Sequence, residues 1–325
     1  QMCIRDSHYA APLRLPAGSR LSMAITYDNT AANPRNPHQP PQAVGYGQQT
    51  DDEMAEMWFQ VVPVRADDRA ALVESLYRKV LPEEIKGLAA MLRRQPASVG
   101  LRDDLALLLA EQGDMAGAER EFRTTLAQRP ASAAARFNVA FAVLAQGRDA
   151  DARALLNDVL AVDAAHGLAH FQLGLLAQAD GQLEAAVRHL AAAIEARPAD
   201  PDVVLSAGVL EALRGDTAAA LPRLTRALAL KPEWPNAQAA LASVLSLQPG
   251  AAERAAAVAL ADEAVRRTRR ANGAFLDILS EALARDGQMA RAIAVAREAQ
   301  QVTAARGDRQ ASERIRQRVL QWEAR

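Results

Sequence analysis

Two periodicities divide the chain. From Leu21 to Tyr27 the residues alternate, with Leu21, Met23, Ile25 and Tyr27 on one side and Ser22, Ala24 and Thr26 on the other. Period two predicts a half-buried strand, and Pro16-Ala17-Gly18-Ser19 ahead of it is turn chemistry. Met54 to Val64, with Trp58, Phe59, Val61 and Val62, predicts a second strand. Between them, residues 33–42 hold Pro34, Pro37, Pro40 and Pro41. That density excludes a helix or a central strand and predicts an ordered loop or an extended crossing. Two strands and a loop cannot bury a core of their own. Residues 8–65 therefore need the rest of a β domain or must lean on the segment behind them.

After Pro63 the period lengthens. Asp67 to Val80 and Glu83 to Gln95 predict two amphipathic helices, an irregular first pair over 67–95 broken at Leu81-Pro82. A longer repeat then sets in. Gly113, Gly147, Gly181 and Gly215 recur at one constant interval, and the same interval separates Pro96 from Pro130 and Pro198 from Pro232. Small residues recur in phase at Ala106, Ala140, Gly174 and Gly208, and again at Ala118, Ala152, Ala186 and Ala220. Phe122, Leu156, Leu190 and Leu224 supply a bulky set in the same phase. Each glycine can turn the chain between two helices, each small residue lets the pair approach, and each proline ends the second helix. The interval and the residues that mark it resemble the tetratricopeptide repeat. The fold expected over 66–325 is mainly α: a solenoid of antiparallel helix pairs, behind a small N-terminal β-strand remnant. Regular repeats cover 97–232 and looser ones 233–303, where Pro249-Gly250 and Gly287 take the turns. A polar capping helix covers 309–325. Such arrays present surfaces for a protein or peptide partner.

Composition narrows the function. The chain has 325 residues, is 50% hydrophobic but only 4% aromatic, and has a formal net charge of −1. Balanced charge gives no general attraction to nucleic acid or anionic lipid, and no apolar run is long enough to span a bilayer. The single cysteine, Cys3, lies in Gln1-Met2-Cys3-Ile4-Arg5-Asp6-Ser7. Residues 1–7 resemble the translated end of a sequencing adapter and are set aside. Without them no thiol is available for catalysis or metal binding.

Tyr27-Asp28-Asn29-Thr30-Ala31-Ala32-Asn33-Pro34 and Gln49-Thr50-Asp51-Asp52-Glu53-Met54 resemble the C-terminal end of copper type II, ascorbate-dependent monooxygenases. Bacterial members of that family can carry tetratricopeptide repeats behind this domain. The resemblance implies that Met54 is a copper ligand in the parent enzyme, a soft thioether suited to copper(I). It also implies that the parent hydroxylates a C–H bond and is periplasmic or secreted. The family's His-x-His pair is not in this sequence, so residues 8–64 read as a fragment expected to hold no cofactor and to be inactive.

Other candidates are few. His166 and His170 share an i, i+4 spacing that a metal could use, without an obvious third ligand; His189 is expected to be exposed. Arg266-Arg267-Thr268-Arg269-Arg270 is the one dense basic cluster and suits a solvated helix end. Positions five and nine of each repeat's first helix line the groove of such arrays. Here they read Asp103 and Leu107, Phe137 and Phe141, Phe171 and Leu175, Leu205 and Val209. Lys and Asn are missing there, so no clamp for a terminal carboxylate is expected. The apolar stripe either accepts a hydrophobic partner segment or serves the solenoid's own packing and covering.

Overall fold

The computed structural model describes residues 14–16, 18–20, 28–34, 36, 38–42, 64, 65 and 68–324. The chain divides into two units, residues 1–82 and 83–325. In the first, the expected strands at 21–27 and 54–64 lie outside the described residues, except for Val64. The expected ordered loop is a hydrogen-bonded turn. Asp28 Oδ1 accepts from both the backbone and the hydroxyl of Thr30, at 3.1 and 2.7 Å. Asn33 and Asn36 donate to the Asp28 carbonyl and to Asn29 Oδ1, and Asn29 donates to the Gln42 carbonyl at 2.8 Å. Asx-type bonding of this sort lets a proline-rich segment satisfy its backbone without a ladder.

Among the described residues fourteen α-helices succeed one another. The first, α1 (Asp68–Arg94), corrects the predicted break at Leu81-Pro82, because it runs through both residues. An interior proline removes one amide donor, which leaves the Arg78 carbonyl without its helical partner. Arg78 is exposed, so water can satisfy that group and the helix continues.

The repeats come as pairs. They are α2 (Val99–Gln112) with α3 (Met115–Gln128), α4 (Ala133–Leu144) with α5 (Asp149–Val162), and α6 (Gly167–Ala179) with α7 (Leu183–Ala196). Next come α8 (Pro201–Leu213) with α9 (Thr217–Leu230), α10 (Pro235–Leu245) with α11 (Ala251–Arg267), and α12 (Gly273–Arg285) with α13 (Met289–Ala305). A last helix, α14 (Arg309–Glu323), takes the capping position. Gly113, Gly147, Gly181 and Gly215 fall at the bends within the four regular pairs, with φ between 73° and 93°. That left-handed region is costly for side chains bearing a Cβ. Ser98, Ser132, Asp200 and Asn272 start first helices by accepting an amide N–H two or three residues on. The α11–α12 junction has no glycine, and Arg269 and Arg270 adopt φ of 50° and 57° there.

The periodic small residues mark where paired helices touch. A Cβ on Gly174 would lie 2.9 Å from Leu190 Cγ, and one on Gly208 would lie 2.8 Å from Leu224 Cδ2. Leu190 and Leu224 of the second helices thus fill the notches these glycines leave. The cores also run across repeat boundaries. Ala106, Ala118 and Phe122 of the first regular repeat pack with Val139, Ala142, Val143 and Ala152 of the second. No pair is closed by itself, as a stacked architecture requires.

One buried carboxylate ties the first two repeats. Glu119 of α3 is 8% exposed. It accepts from Arg123 Nη2 at 2.6 Å, from Gln146 Nε2 at 2.7 Å and from Arg148 Nη1 at 3.0 Å. Burial alone would raise its pKa, but the bonds from Arg123, Gln146 and Arg148 outweigh burial and hold it below its ordinary 4.5. A carboxyl with a lowered folded-state pKa stabilises fully above its unfolded value and loses that contribution as pH falls through the folded value. Glu119→Gln should therefore cost about 1–3 kcal/mol at pH 7 in urea unfolding. The gap to wild type should close as the solution is acidified below pH 4.5. A gap that stays constant with pH would remove the charge from this account.

Candidate interaction surface

Consecutive first helices touch one another, α6 with α8, α8 with α10 and α10 with α12, whereas consecutive second helices make no comparable contact. First helices therefore line the inner side of the stack in this stretch. On that side, positions five and nine separate into two environments.

Position nine is the open one. Leu107 is 53% exposed and Phe141 40% exposed, and Leu175 and Val209 are half-buried. Their immediate neighbours Ala106 and Ala140 are fully buried. Position five lies in the seam between neighbouring repeats. Phe137 packs on the core of Leu156, Ala169 and Leu173, and Phe171 packs on that of Ala186, Leu190 and Leu210. Leu205 belongs to the core that its repeat shares with Ala237, Leu241 and Val244 of the next, and is 9% exposed. Asp103 occupies the seam position of the first regular repeat and is half-buried. The predicted stripe is thus four surface residues beside three packing residues.

The surface deepens toward α12. A recess of about 280 Å³ opens between α8, α10 and α12. Val209 and Leu213 form one wall, Ala239, Ala240 and Ser243 the floor, and Phe275 and Ile278 the far wall, with Asn236 among the few polar residues on its lining. Of the predicted groove residues only Val209 lines it. Ala239 and Ser243 were legible: they stand one repeat interval after Leu205 and Val209, just past the end of the predicted stripe. Phe275 and Ile278 were hidden by the longer fifth repeat, which shifts the phase.

Met54 lies outside the described residues, and among the described residues no three His, Cys, Asp or Glu side chains are grouped to hold a metal. His166 and His170 do not converge. His166 Nδ1 accepts the Ala169 N–H at 3.2 Å, whereas His170 Nδ1 stands 3.0 Å from His189 Nδ1. His189 is therefore half-buried and partnered, not exposed as expected. Within the basic cluster, Arg266 pairs with Asp262 and Glu263, Arg267 with Glu233 and Glu263, and Arg270 with Glu298. Arginines committed to carboxylates offer little to a phosphate backbone. No described helix is long and apolar enough to cross a membrane.

Residues 109–179 and 171–237 each match a family model described as the tetratricopeptide repeat. Among solved structures, the APC/C hetero-tetramer Cut9-Hcn1 is similar over 79% of this chain, with a TM-score of 0.61 and 15% identity. This chain covers 50% of that one. A tetratricopeptide repeat protein from Parabacteroides merdae ATCC 43184 is similar over 78% of this chain and 100% of its own, with a TM-score of 0.51 and 16% identity. At such identities the likeness speaks for the fold alone. No curated protein matches the chain by sequence. The helix pairs from α2 onward thus form a solenoid, and the chain carries tetratricopeptide repeats within it.

Proposed function

We propose that the repeats act as a protein-interaction scaffold that takes an apolar segment of a partner along the first-helix face. The supporting observation is the line of position-nine side chains leading from Leu107 and Phe141 through Leu175 to Val209 and the recess beside it. An amphipathic helix or an extended peptide with bulky apolar anchors suits such a face. Those positions carry apolar residues where a carboxylate clamp needs Lys and Asn, so the chain terminus of the partner is not the recognised group.

Two substitutions separate surface from packing. Phe137→Ala should cost about 2–4 kcal/mol in urea unfolding, because the seam loses a ring. Phe141→Ala should stay within about 1 kcal/mol of wild type. Equal losses would mean that the stripe is packing throughout and would sink the surface reading.

Binding itself is tested with a library of amphipathic helical peptides, read by fluorescence anisotropy. At least one should bind, and Val209→Lys should weaken it about tenfold, as removal of an interface anchor does, with helicity unchanged. Peptide binding indifferent to Val209→Lys and to Ile278→Lys would move the site elsewhere.

The hydrogen-bonded turn at 28–42 supports a second reading, confined to the first unit. Residues 28–34 of that turn belong to the stretch that resembles the copper monooxygenase motif, and they are held in a defined conformation by bonds among Asp28, Thr30, Asn29, Asn36 and Gln42. In this reading the parent gene product is a periplasmic or secreted copper-dependent monooxygenase, Met54 is one of its copper ligands, and the repeats are its accessory module. One thioether without imidazole partners holds copper weakly. Copper(I) titration of this chain should accordingly show no tight stoichiometric site. A one-to-one site abolished by Met54→Ala would overturn the inactive-fragment reading.

A further inference from the structure

Three of the five histidines in the chain belong to the α6–α7 hairpin: His166 and His170 at the start of α6, and His189 of α7 facing His170. His166 is the N-cap of α6, and its Nδ1 accepts the Ala169 N–H. Its ring lies on Phe137 of α4, with centroids 5.1 Å apart. An imidazole can accept at Nδ1 only while that nitrogen is unprotonated.

His170 shows what the position requires. In the two preceding repeats, Arg102 donates to the Pro96 carbonyl at 2.8 Å and Arg136 to the Pro130 carbonyl at 2.7 Å. Both bonds reach to the sixth residue back. His170 stands one repeat interval after Arg136, and its Nε2 lies 3.0 Å from the Ala164 carbonyl, again the sixth residue back. A carbonyl only accepts, so Nε2 carries the proton. The Nδ1 of neutral His170 is then a lone pair, and the His189 Nδ1 facing it at 3.0 Å must donate. Two added protons would set N–H against N–H across that distance.

Burial and the surrounding charges oppose protonation of His189. His189 is disfavoured as a cation by burial first, then by His170, by Arg188 on its own helix and by Arg153 of α5. Arg153 is already engaged by Asp180 at 2.6 Å. In the turn before α6, the Asp163 carboxylate accepts the Ala165 N–H at 3.1 Å. Arg197, whose side chain abuts Gly167, is paired with Asp200 at 2.8 Å.

We propose that His166, His170 and His189 form an acid-released clasp, which at neutral pH fixes the start of α6 to α4 and α7 and which opens when the imidazoles are protonated. His189 has a folded-state pKa below its ordinary 6.5. Its contribution is therefore complete above the unfolded value and is lost as pH falls through the folded one. The clasp is a property of the hairpin and holds with or without a partner on the first-helix face.

Hydrogen exchange of the full chain at pH 7.5 and 5.0, corrected for the intrinsic rate, reads the opening directly. The α6–α7 amides should lose protection on acidification relative to α12–α13, whose hairpin contains no histidine. Opening should grow by up to about tenfold per pH unit for each proton taken up. In the double variant His166→Asn, His189→Gln the excess loss should vanish, since asparagine caps without titrating and glutamine still offers His170 a donor. Equal pH responses of the two wild-type hairpins would overturn the proposal, as would persistence of the excess in the variant. Nitrogen-15 spectra of the wild type at pH 7.5 supply an independent check. The proton should sit on Nε2 of His166 and His170 and on Nδ1 of His189; any other set of tautomers would overturn it.

Discussion

A pair of helices cannot hide its own apolar face, and the whole arrangement of the second unit derives from that constraint. The notch left by Gly174 or Gly208 brings the two helices of a hairpin close enough for Leu190 or Leu224 to seat, yet the outer flank of the hairpin stays apolar. Only the next hairpin can cover it. Phe122 is accordingly buried among residues of two repeats, and Phe137 and Phe171 sit across the next two junctions in the same way. Stability therefore spreads along the stack by nearest-neighbour contact, and a weak junction lowers the protection of its own neighbours before that of the rest.

Burial also decides which charges matter. The arginines at 266–270 and their carboxylates are in contact with water, which screens such pairs and leaves them little weight in stability. Glu119 is different in kind. It is shut away between α3 and the α4–α5 bend, and leaving it unpartnered there would cost the desolvation of a full charge. Its three donors come from two repeats, so the group fixes the register of one hairpin on the next as well as stabilising it.

The repeat was legible because the demand that creates it acts on local residue size. A turn with positive φ asks for glycine, and a close helix crossing asks for alanine or glycine; both leave a mark at fixed spacing. Asp200 caps α8 with Pro201 in its first turn, a start that also rests on local residue type. What escaped was set by geometry that sequence spacing does not carry. Pro82 looked like a break, but an exposed helix can leave one carbonyl to water. His189 looked solitary, because its partner His170 lies across the hairpin on the facing helix. Positions five and nine looked equivalent, and the crossing of neighbouring first helices assigns one to the seam and the other to the surface. Residues 1–65 obey no comparable period.

The end of the apolar face has its own cause. The step from Gly215 to Gly287 is longer than two repeat intervals, so positions five and nine of the sixth repeat fall at Asp277 and Glu281. Both are acidic, and Arg318 of α14 bridges them while stacking on Trp322 at 5.2 Å. The line that is apolar from Leu107 to Val209 thus closes in a cluster of charges on α12, the helix that forms the far wall of the recess. Such a closure does two things at once. It places charge where α12 meets α14, and, on the proposed reading, it limits an apolar ligand to the stretch between α2 and α12. In that proposal the length of a partner segment would be set by where the period slips, in the fifth repeat, as much as by the residues that touch it.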